Sequence, residues 1–226
     1  MTDRKYYEAY DDRYRQVHAE NLQWFSEKPS GIVAQVIGKY GVSKTAPMLE
    51  IGCGEGRDAR PLLKEGFNLL ATDISPEAIA YCQKQDPAHK DSYRVLDCIG
   101  GQTEETFAFI YAVAVLHMLV EDADRAAFYR FIREHLTDDG VALICTMGDG
   151  TIERQSDVST AFDLQQRIHE ESGKSLLLAG TSCRMVCFST FEAELTENDL
   201  EILEKGFSPA EPDFNNMMYA VVKRRS

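Results

Sequence analysis

Apolar and polar positions divide the chain into a helical beginning, a middle in which strands alternate with helices, and a less regular final third. Across residues 5–25 the aromatics Tyr6, Tyr7, Tyr10, Tyr14, Trp24 and Phe25 interleave with charges. Tyr7, Tyr10 and Tyr14 recur at helical spacing, which predicts one or two amphipathic helices. Pro29, Ser30 and Gly31 break that run. Ile32, Val33, Val36 and Ile37 then predict a second helix, stopped at Gly41.

The period changes at Pro47, where Met48, Leu49, Glu50 and Ile51 form a short apolar strand leading into Gly52-Cys53-Gly54-Glu55-Gly56. Residues 57–65 read as a helix that tolerates Pro61 near its first turn and stops at Gly66. A second strand spans 68–73. Ser75, Pro76 and Glu77 then supply a cap hydroxyl, a proline for the first helical position and an acid for the positive helix end. Residues 93–97 predict a third strand. Residues 107–115 predict a fourth, whose unbroken apolarity suits burial on both faces of a parallel sheet. Ala127, Phe128, Phe131, Ile132 and Leu136 trace one helical face. Asp138, Asp139 and Gly140 predict a turn before a fifth strand at 141–146.

Residues 148–190 break the rhythm and read as an insertion, with a helix near 158–170 and strand-like runs at 175–179 and 184–188. Thr196 and Asp199, with Leu195 and Leu200 as a hydrophobic staple, predict a helix running to Lys205 and stopping at Gly206. Residues 217–222 close the chain as an apolar strand. Together these elements predict an α/β fold: a Rossmann-like, doubly wound, mostly parallel sheet with an antiparallel closing strand. The expected layout is one domain: a helical cap at 1–41, a core at 42–147, the insertion at 148–190, and a closing helix and strands at 191–226.

Composition narrows the partners. With 24 basic and 37 acidic residues the formal charge is −13, which repels phosphate backbones and anionic membrane surfaces, so neither nucleic acid nor membrane is expected as a partner. No apolar run has the length of a membrane span, and the first residues lack the apolar core of a secretion signal, so a cytoplasmic protein is expected. The six cysteines lack a Cys-x-x-Cys pair, and no metal site is predicted. If residues 184–188 form a strand, Cys183 and Cys187 share a face near Met185, although buried apolar packing is the simpler role for both thiols.

The chemistry concentrates at strand ends. Gly52, Gly54 and Gly56 allow a tight bend whose amides approach a ligand closely. Asp73 ends the next strand, where a carboxylate can accept from the vicinal hydroxyls of a ribose, and Asp97 ends the third.

The run Leu49-Glu50-Ile51-Gly52-Cys53-Gly54-Glu55-Gly56-Arg57 resembles the first motif of class I S-adenosylmethionine-dependent methyltransferases. The resemblance extends over about 47–146 and resumes at 196–224. The continuation Gly56-Arg57-Asp58-Ala59 is similar to the thiopurine and tellurite-resistance branch, whose members methylate small molecules. It implies S-adenosylmethionine as cofactor, S-adenosylhomocysteine as product and a small-molecule methyl acceptor reached by direct in-line displacement. The implied cofactor-binding residues are Glu50, Gly52, Cys53, Gly54, Gly56 and Arg57, then Asp73 and Ile74, Asp97 and Cys98 beside the adenine, and Ala114 after the fourth strand. The N-terminal aromatics Tyr10, Tyr14 and Trp24 are expected to form a lid. His117 is the candidate catalytic base. One departure is Ala108, where many members carry an acid. A nicotinamide-dependent oxidoreductase fits less well, because its third glycine would fall at Arg57. A non-catalytic binding module is the other alternative.

Overall fold

The computed structural model describes residues 4–24, 28–210 and 214–225. Phe25, one of the aromatics of the expected N-terminal helices, lies outside them. The chain opens with a short 3-10 turn, Tyr6–Glu8, and then α1 (Ala9–Ala19) and α2 (Gly31–Tyr40). Gly41 caps α2 with φ of 65°. The core follows in the expected order: β1 (Met48–Ile51), α3 (Ala59–Lys64), β2 (Leu69–Asp73), α4 (Pro76–Gln85), β3 (Tyr93–Val95), β4 (Phe107–Val113), α5 (Asp122–His135) and β5 (Leu136–Met147). Ser75 caps α4 as anticipated, its Oγ accepting from Ala78 N at 3.0 Å. The turn expected at 138–140 takes the form of a bulge. Phe107 lies opposite Leu136 and Phe109 opposite Val141, so residues 137–140 bow out of a strand that begins earlier than expected.

The final third comprises β6 (Arg154–Gln155), β7 (Leu164–Ile168), β8 (Ser175–Ala179), β9 (Arg184–Met185), α6 (Phe188–Glu197), β10 (Leu200–Ala210) and β11 (Phe214–Arg224). Two expectations are corrected here. The helix near 158–170 is a 3-10 turn at Val158–Thr160 followed by β7, which pairs antiparallel with β8. Leu164 and Ile168 sit four apart in a helical pattern, yet both are exposed. The pair therefore offered no buried helical face, and the backbone took its partners from β8 instead. The helix predicted to run to Lys205 is also displaced. The helix is α6, which ends at Glu197, ahead of the expected stop, and Asp199 lies just beyond it at φ of 57°. The following residues form β10, with Leu200 buried and Ile202 packed on the same apolar cluster. Of the run expected as a strand at 184–188, only Arg184 and Met185 pair, with β6.

The seven-stranded sheet runs β10-β11-β5-β4-β1-β2-β3, with β11 antiparallel to both its neighbours. Alternate residues face opposite layers. Met48, Phe109, Tyr111 and Leu143 pack with α2, α3 and α4, whereas Leu49, Ile110, Ala112 and Ile144 pack with α5 and α6. Both faces being covered explains the unbroken apolarity of β4. From β1 the chain winds outward through β2 to β3, then returns to β4 and winds the other way. That reversal opens a crevice beyond the carboxyl ends of β1 and β4, where sheets of this kind hold ligands. Among the described residues no helix is long and apolar enough to cross a membrane.

α6 is held to α5 by an ion pair buried on the arginine side. Arg125 donates from Nε and Nη2 to Glu194 at 2.7 and 2.6 Å and from Nη1 to the carbonyls of Leu116 and Leu119. Tyr129 adds its hydroxyl to the same carboxylate at 2.7 Å. Removing the acid leaves a guanidinium buried without its counter-charge, so Glu194→Ala is expected to destabilise the fold by about 3 kcal/mol. Urea unfolding of the variant against the parent chain measures this.

Candidate functional site

The crevice at the reversal is a pocket of about 930 Å3, part of it open to solvent. Ile51, Gly52, Cys53 and Gly54 enter from β1, and Asp73 and Ile74 from β2. Leu96, Asp97 and Cys98 lie just past β3, and Val113, Ala114 and Val115 lie at the end of β4. Tyr7, Tyr10 and Tyr14 close it from the N-terminal segment. The bend depends on absent side chains at two places. A Cβ on Gly52, at φ of 73°, would stand 2.4 Å from Val115 Cγ2, and one on Gly54, at φ of 52°, would stand 2.7 Å from the Tyr14 hydroxyl oxygen. Gly56 departs from expectation. It faces Cys82 and Arg60 behind the bend rather than the pocket, so its lack of a side chain seats the loop on α4. Ala114 adopts φ of 61° where β4 ends, a conformation that costs a non-glycine residue on the order of 1 kcal/mol.

Asp73 joins two of these strand ends. Its Oδ2 accepts from Gly54 N and its Oδ1 from Ser75 N, each at 2.8 Å. Burial raises its pKa to about 6 against the opposing pull of those amide hydrogens. Glu50 is buried and accepts from the Tyr111 hydroxyl at 3.0 Å. Desolvation, and then the charge of Asp58, push its pKa well above the usual carboxylate range. Asp58 accepts from the amide and hydroxyl of Ser30, tying the bend to the start of α2, and Arg57 Nε lies 3.8 Å from the same carboxylate. Asp97 folds back on its own turn and accepts from Ile99 N at 2.8 Å. Acids therefore outnumber the arginine of this lining, which also includes Glu55.

α1 spans the pocket and the insertion. Tyr7, Asp11, Tyr14 and His18 lie on the stripe that meets the core. Asp11 Oδ1 accepts from Ser75 Oγ at 2.6 Å and from Glu77 N at 3.1 Å. The two ring nitrogens of His18 bond Glu77 at 2.8 Å and Glu55 at 3.0 Å. Burial opposes the charge of His18, but the two carboxylates outweigh it and raise the pKa above its ordinary value. Along the opposite stripe, the Tyr10 hydroxyl donates to Ser182 O, Arg13 donates to Ala179 O and Gly180 O, and Val17 packs on Leu176 and Leu178. Asp11 and His18 were not picked out from the sequence. Their spacing with Tyr7 and Tyr14 on one helical face was the available signal.

Two further expectations change. Trp24 does not line this pocket; its amide bonds Glu55 and its ring borders a second cavity. His117 also lies outside this lining and borders the same second cavity. It is buried, and desolvation, with Arg125 nearby, lowers its pKa to about 3, so it stays neutral and is a weak proton acceptor at neutral pH. The second cavity, of about 1510 Å3, lies between α1 and the insertion and shares Tyr10 and Met118 with the pocket. Cys183 and Met185 line it, whereas Cys187 sits apart at the start of α6, so the two thiols do not share a strand face.

Residues 49–142 match the protein-family model described as a methyltransferase domain. The chain is 29% identical over 109 residues to Hemagglutinin 1 of Eikenella corrodens, covering 45% of this chain and 35% of that protein. It is also 29% identical over 115 residues to a protein of Geobacillus sp. (strain WCH70) whose name assigns it provisionally to the methyltransferases, covering 49% and 46%. The chain thus spans less than half the length of the curated relatives it matches. Among solved structures it is similar to the 1,6-didemethyltoxoflavin-N1-methyltransferase of Burkholderia thailandensis, with a TM-score of 0.70 and 17% identity over 98% of this chain and 89% of that one. A TehB-like S-adenosylmethionine-dependent methyltransferase from Corynebacterium glutamicum aligns with a TM-score of 0.61 and 22% identity over 97% and 98%.

Two expectations follow from this geometry. Gly52→Ala should lower stability by about 2 kcal/mol, through the left-handed backbone and the contact with Val115, and adding Val115→Ala should recover part of that loss in denaturant unfolding. The contribution of His18 is fully present below about pH 6.5, its unfolded value, and is lost as pH rises through its raised folded value. Hydrogen-exchange protection of α1 should therefore decline on going from about pH 6 to about pH 8, and His18→Gln should remove that dependence.

Proposed function

We propose that this chain, whose residues 49–142 match a methyltransferase-domain family model, uses S-adenosylmethionine to methylate a small-molecule acceptor and releases S-adenosylhomocysteine. The observation that carries this reading is the pairing of a bend without side chains with Asp73 at the neighbouring strand end. After accepting from Gly54 and Ser75, each Asp73 oxygen keeps a lone pair, which suits the vicinal hydroxyls of a ribose. Leu96, Ile99 and Leu119 offer apolar surface for an adenine beside Asp97 and Cys98. The acid excess suits a ligand bearing a sulfonium and an ammonium. It opposes the pyrophosphate of a dinucleotide, which argues against the oxidoreductase alternative.

Bound there, the cofactor supplies an electrophilic methyl group on a positively charged sulfur. The contribution of the protein is positional. Tyr10 and Met118 border both the pocket and the outer cavity, so an acceptor lodged in that cavity would face the methyl group across them. α1 fastens the two spaces together and keeps water from the seam. A thiolate or amine acceptor needs no base, which agrees with the neutral, buried state of His117. The outer cavity, part of it open to solvent, and a structural neighbour holding bound 1,6-didemethyltoxoflavin support a small acceptor. The net charge of −13 argues against nucleic acid. The burial of His117 also agrees with a non-catalytic binder of the same cofactor, and transfer of radiolabelled methyl into a metabolite panel separates the two readings.

Asp73→Asn should weaken S-adenosylhomocysteine binding at least tenfold, about 1.4 kcal/mol. Hydroxyl donors favour the ionised acid, so affinity of the parent chain should fall as pH is lowered through about 6, and the variant should lose that slope. Calorimetry across the acid range measures both, and equal affinities at every pH would remove Asp73 from the site.

A further inference from the structure

We infer that the outer cavity is built for an anionic acceptor, a small molecule that presents a carboxylate or phosphate monoester to Arg13, Arg154 and Arg167. The inference rests on the reading that the acceptor occupies this cavity. Arg13 projects from α1 and is 8% exposed. Its guanidinium bonds only neutral acceptors: the carbonyls of Ala179 and Gly180, each at 2.9 Å from Nη2, and Thr181 Oγ1 at 2.7 Å. Among the described residues no carboxylate lies within ion-pair distance of it. A buried cation without a counter-charge is costly, and a fold that retains one has a site ready to be neutralised from outside.

Arg154 on β6 and Arg167 on β7 line the same cavity, and neither forms an ion pair among the described residues. Arg167 contacts only the Gln165 amide oxygen, at 3.0 Å. Burial lowers the pKa of Arg13, and the charge of Arg167 nearby lowers it further, which places the two guanidiniums close together. Several arginines elsewhere in the chain are neutralised: Arg125 meets Glu194, Arg133 meets Asp199 and Arg184 meets Asp122. In a protein with 37 acids against 24 bases, unmatched guanidiniums facing one cavity run against the overall composition. Glu170 borders the cavity too, so one acid is set against the three arginines.

The guanidinium fork matches the planar oxygens of a carboxylate or phosphate in a way an ammonium does not. Tyr10 and Trp24 lie against Arg13, their ring centroids 5.3 and 4.9 Å from its Cζ, and supply flat apolar surface beside the charge. An acceptor with a flat body and an acidic end would therefore be held by that end, its nucleophilic atom toward Tyr10 and Met118. The outer cavity then carries positive charge and the inner pocket negative, which orients such a molecule before any reaction.

The test titrates the full chain with benzoate and with phenyl phosphate, using benzamide as the neutral match, in the presence and absence of saturating S-adenosylhomocysteine, and follows binding by NMR. Saturable binding of at least one anion is expected, weaker at high salt, with benzamide at least about tenfold poorer. The Arg154→Gln, Arg167→Gln double variant should lower anion affinity at least about fivefold and leave S-adenosylhomocysteine affinity unchanged, because neither residue lines the inner pocket. Preference for one anion over the other tells carboxylate from phosphate. Binding of benzamide equal to that of the anions, no saturable binding of either anion, or a double variant equal to the parent would each overturn the inference. Failure of S-adenosylhomocysteine itself to bind would instead strike the cofactor reading, and the titration without it would still decide the anion site.

Discussion

The site depends on one hydrogen bond between strand ends, in which the Asp73 carboxylate accepts from the amide of Gly54 at 2.8 Å. For that amide to point at the acid, the backbone after β1 must turn at once through left-handed conformations, and Gly52 and Gly54 permit it where any Cβ would meet Val115 or the Tyr14 hydroxyl. β1 and β2 are parallel neighbours, with Ile51 opposite Thr72, so the bend and the acid arrive side by side. The remaining contacts build on that pair. Ser75 both donates to Asp73 and caps α4, and Asp11 from α1 accepts from the same serine.

This chain of contacts explains why the N-terminal helix belongs to the site although it precedes the sheet in sequence. Asp11 and His18 bind α1 to the starts of α4 and the bend, while Tyr10 and Arg13 bind it to the insertion. α1 is therefore the common wall of two cavities. The contacts on its core side are ionic or charge-assisted and titratable at His18. Those on its outer side are hydrogen bonds from Tyr10 and Arg13 to backbone carbonyls. The two cavities can thus differ in charge while sharing a partition only one helix thick.

The core was legible because burial on both faces leaves a mark, an unbroken apolar run at β4 and a short one broken only by Glu50 at β1. These alternate with helices that include α2 and α3, stopped at Gly41 and Gly66, and α4, which Ser75 caps and Pro76 opens. Of the expected binding residues, the pocket gathers Glu50, Gly52, Cys53, Gly54, Arg57, Asp73, Ile74, Asp97, Cys98, Ala114 and Tyr14 on one rim. Gly56, Trp24 and His117 sit elsewhere, each for a local reason: a glycine can be needed for packing on a neighbouring helix, and an aromatic or a histidine can border the next cavity. The final third misled because its signals are local and its structure is not. Leu164 and Ile168 sit at helical spacing but on an exposed hairpin, and the capping pattern at Thr196 lies at the end of a helix rather than its start. Strand β10 exists because β11 offers it an edge, a long-range fact that no window of residues around Leu200 contains.

Charge explains why the two cavities are not interchangeable. A chain with a large acid excess would by default surround any cavity with negative potential, and the inner pocket follows that default with Asp73, Asp97, Glu55 and Asp58 in its lining. The outer cavity departs from it through Arg154, Arg167 and Arg13, the last buried on α1 against carbonyls that a neutral side chain could have satisfied. Carbonyl bonding does not require a cation, and its desolvation opposes folding. Keeping a full charge there has a physical return only if something negative meets it. The burial that makes Arg13 costly without a partner also strengthens its pull on one, because the same low dielectric that penalises an isolated charge deepens its attraction to an opposite charge brought alongside.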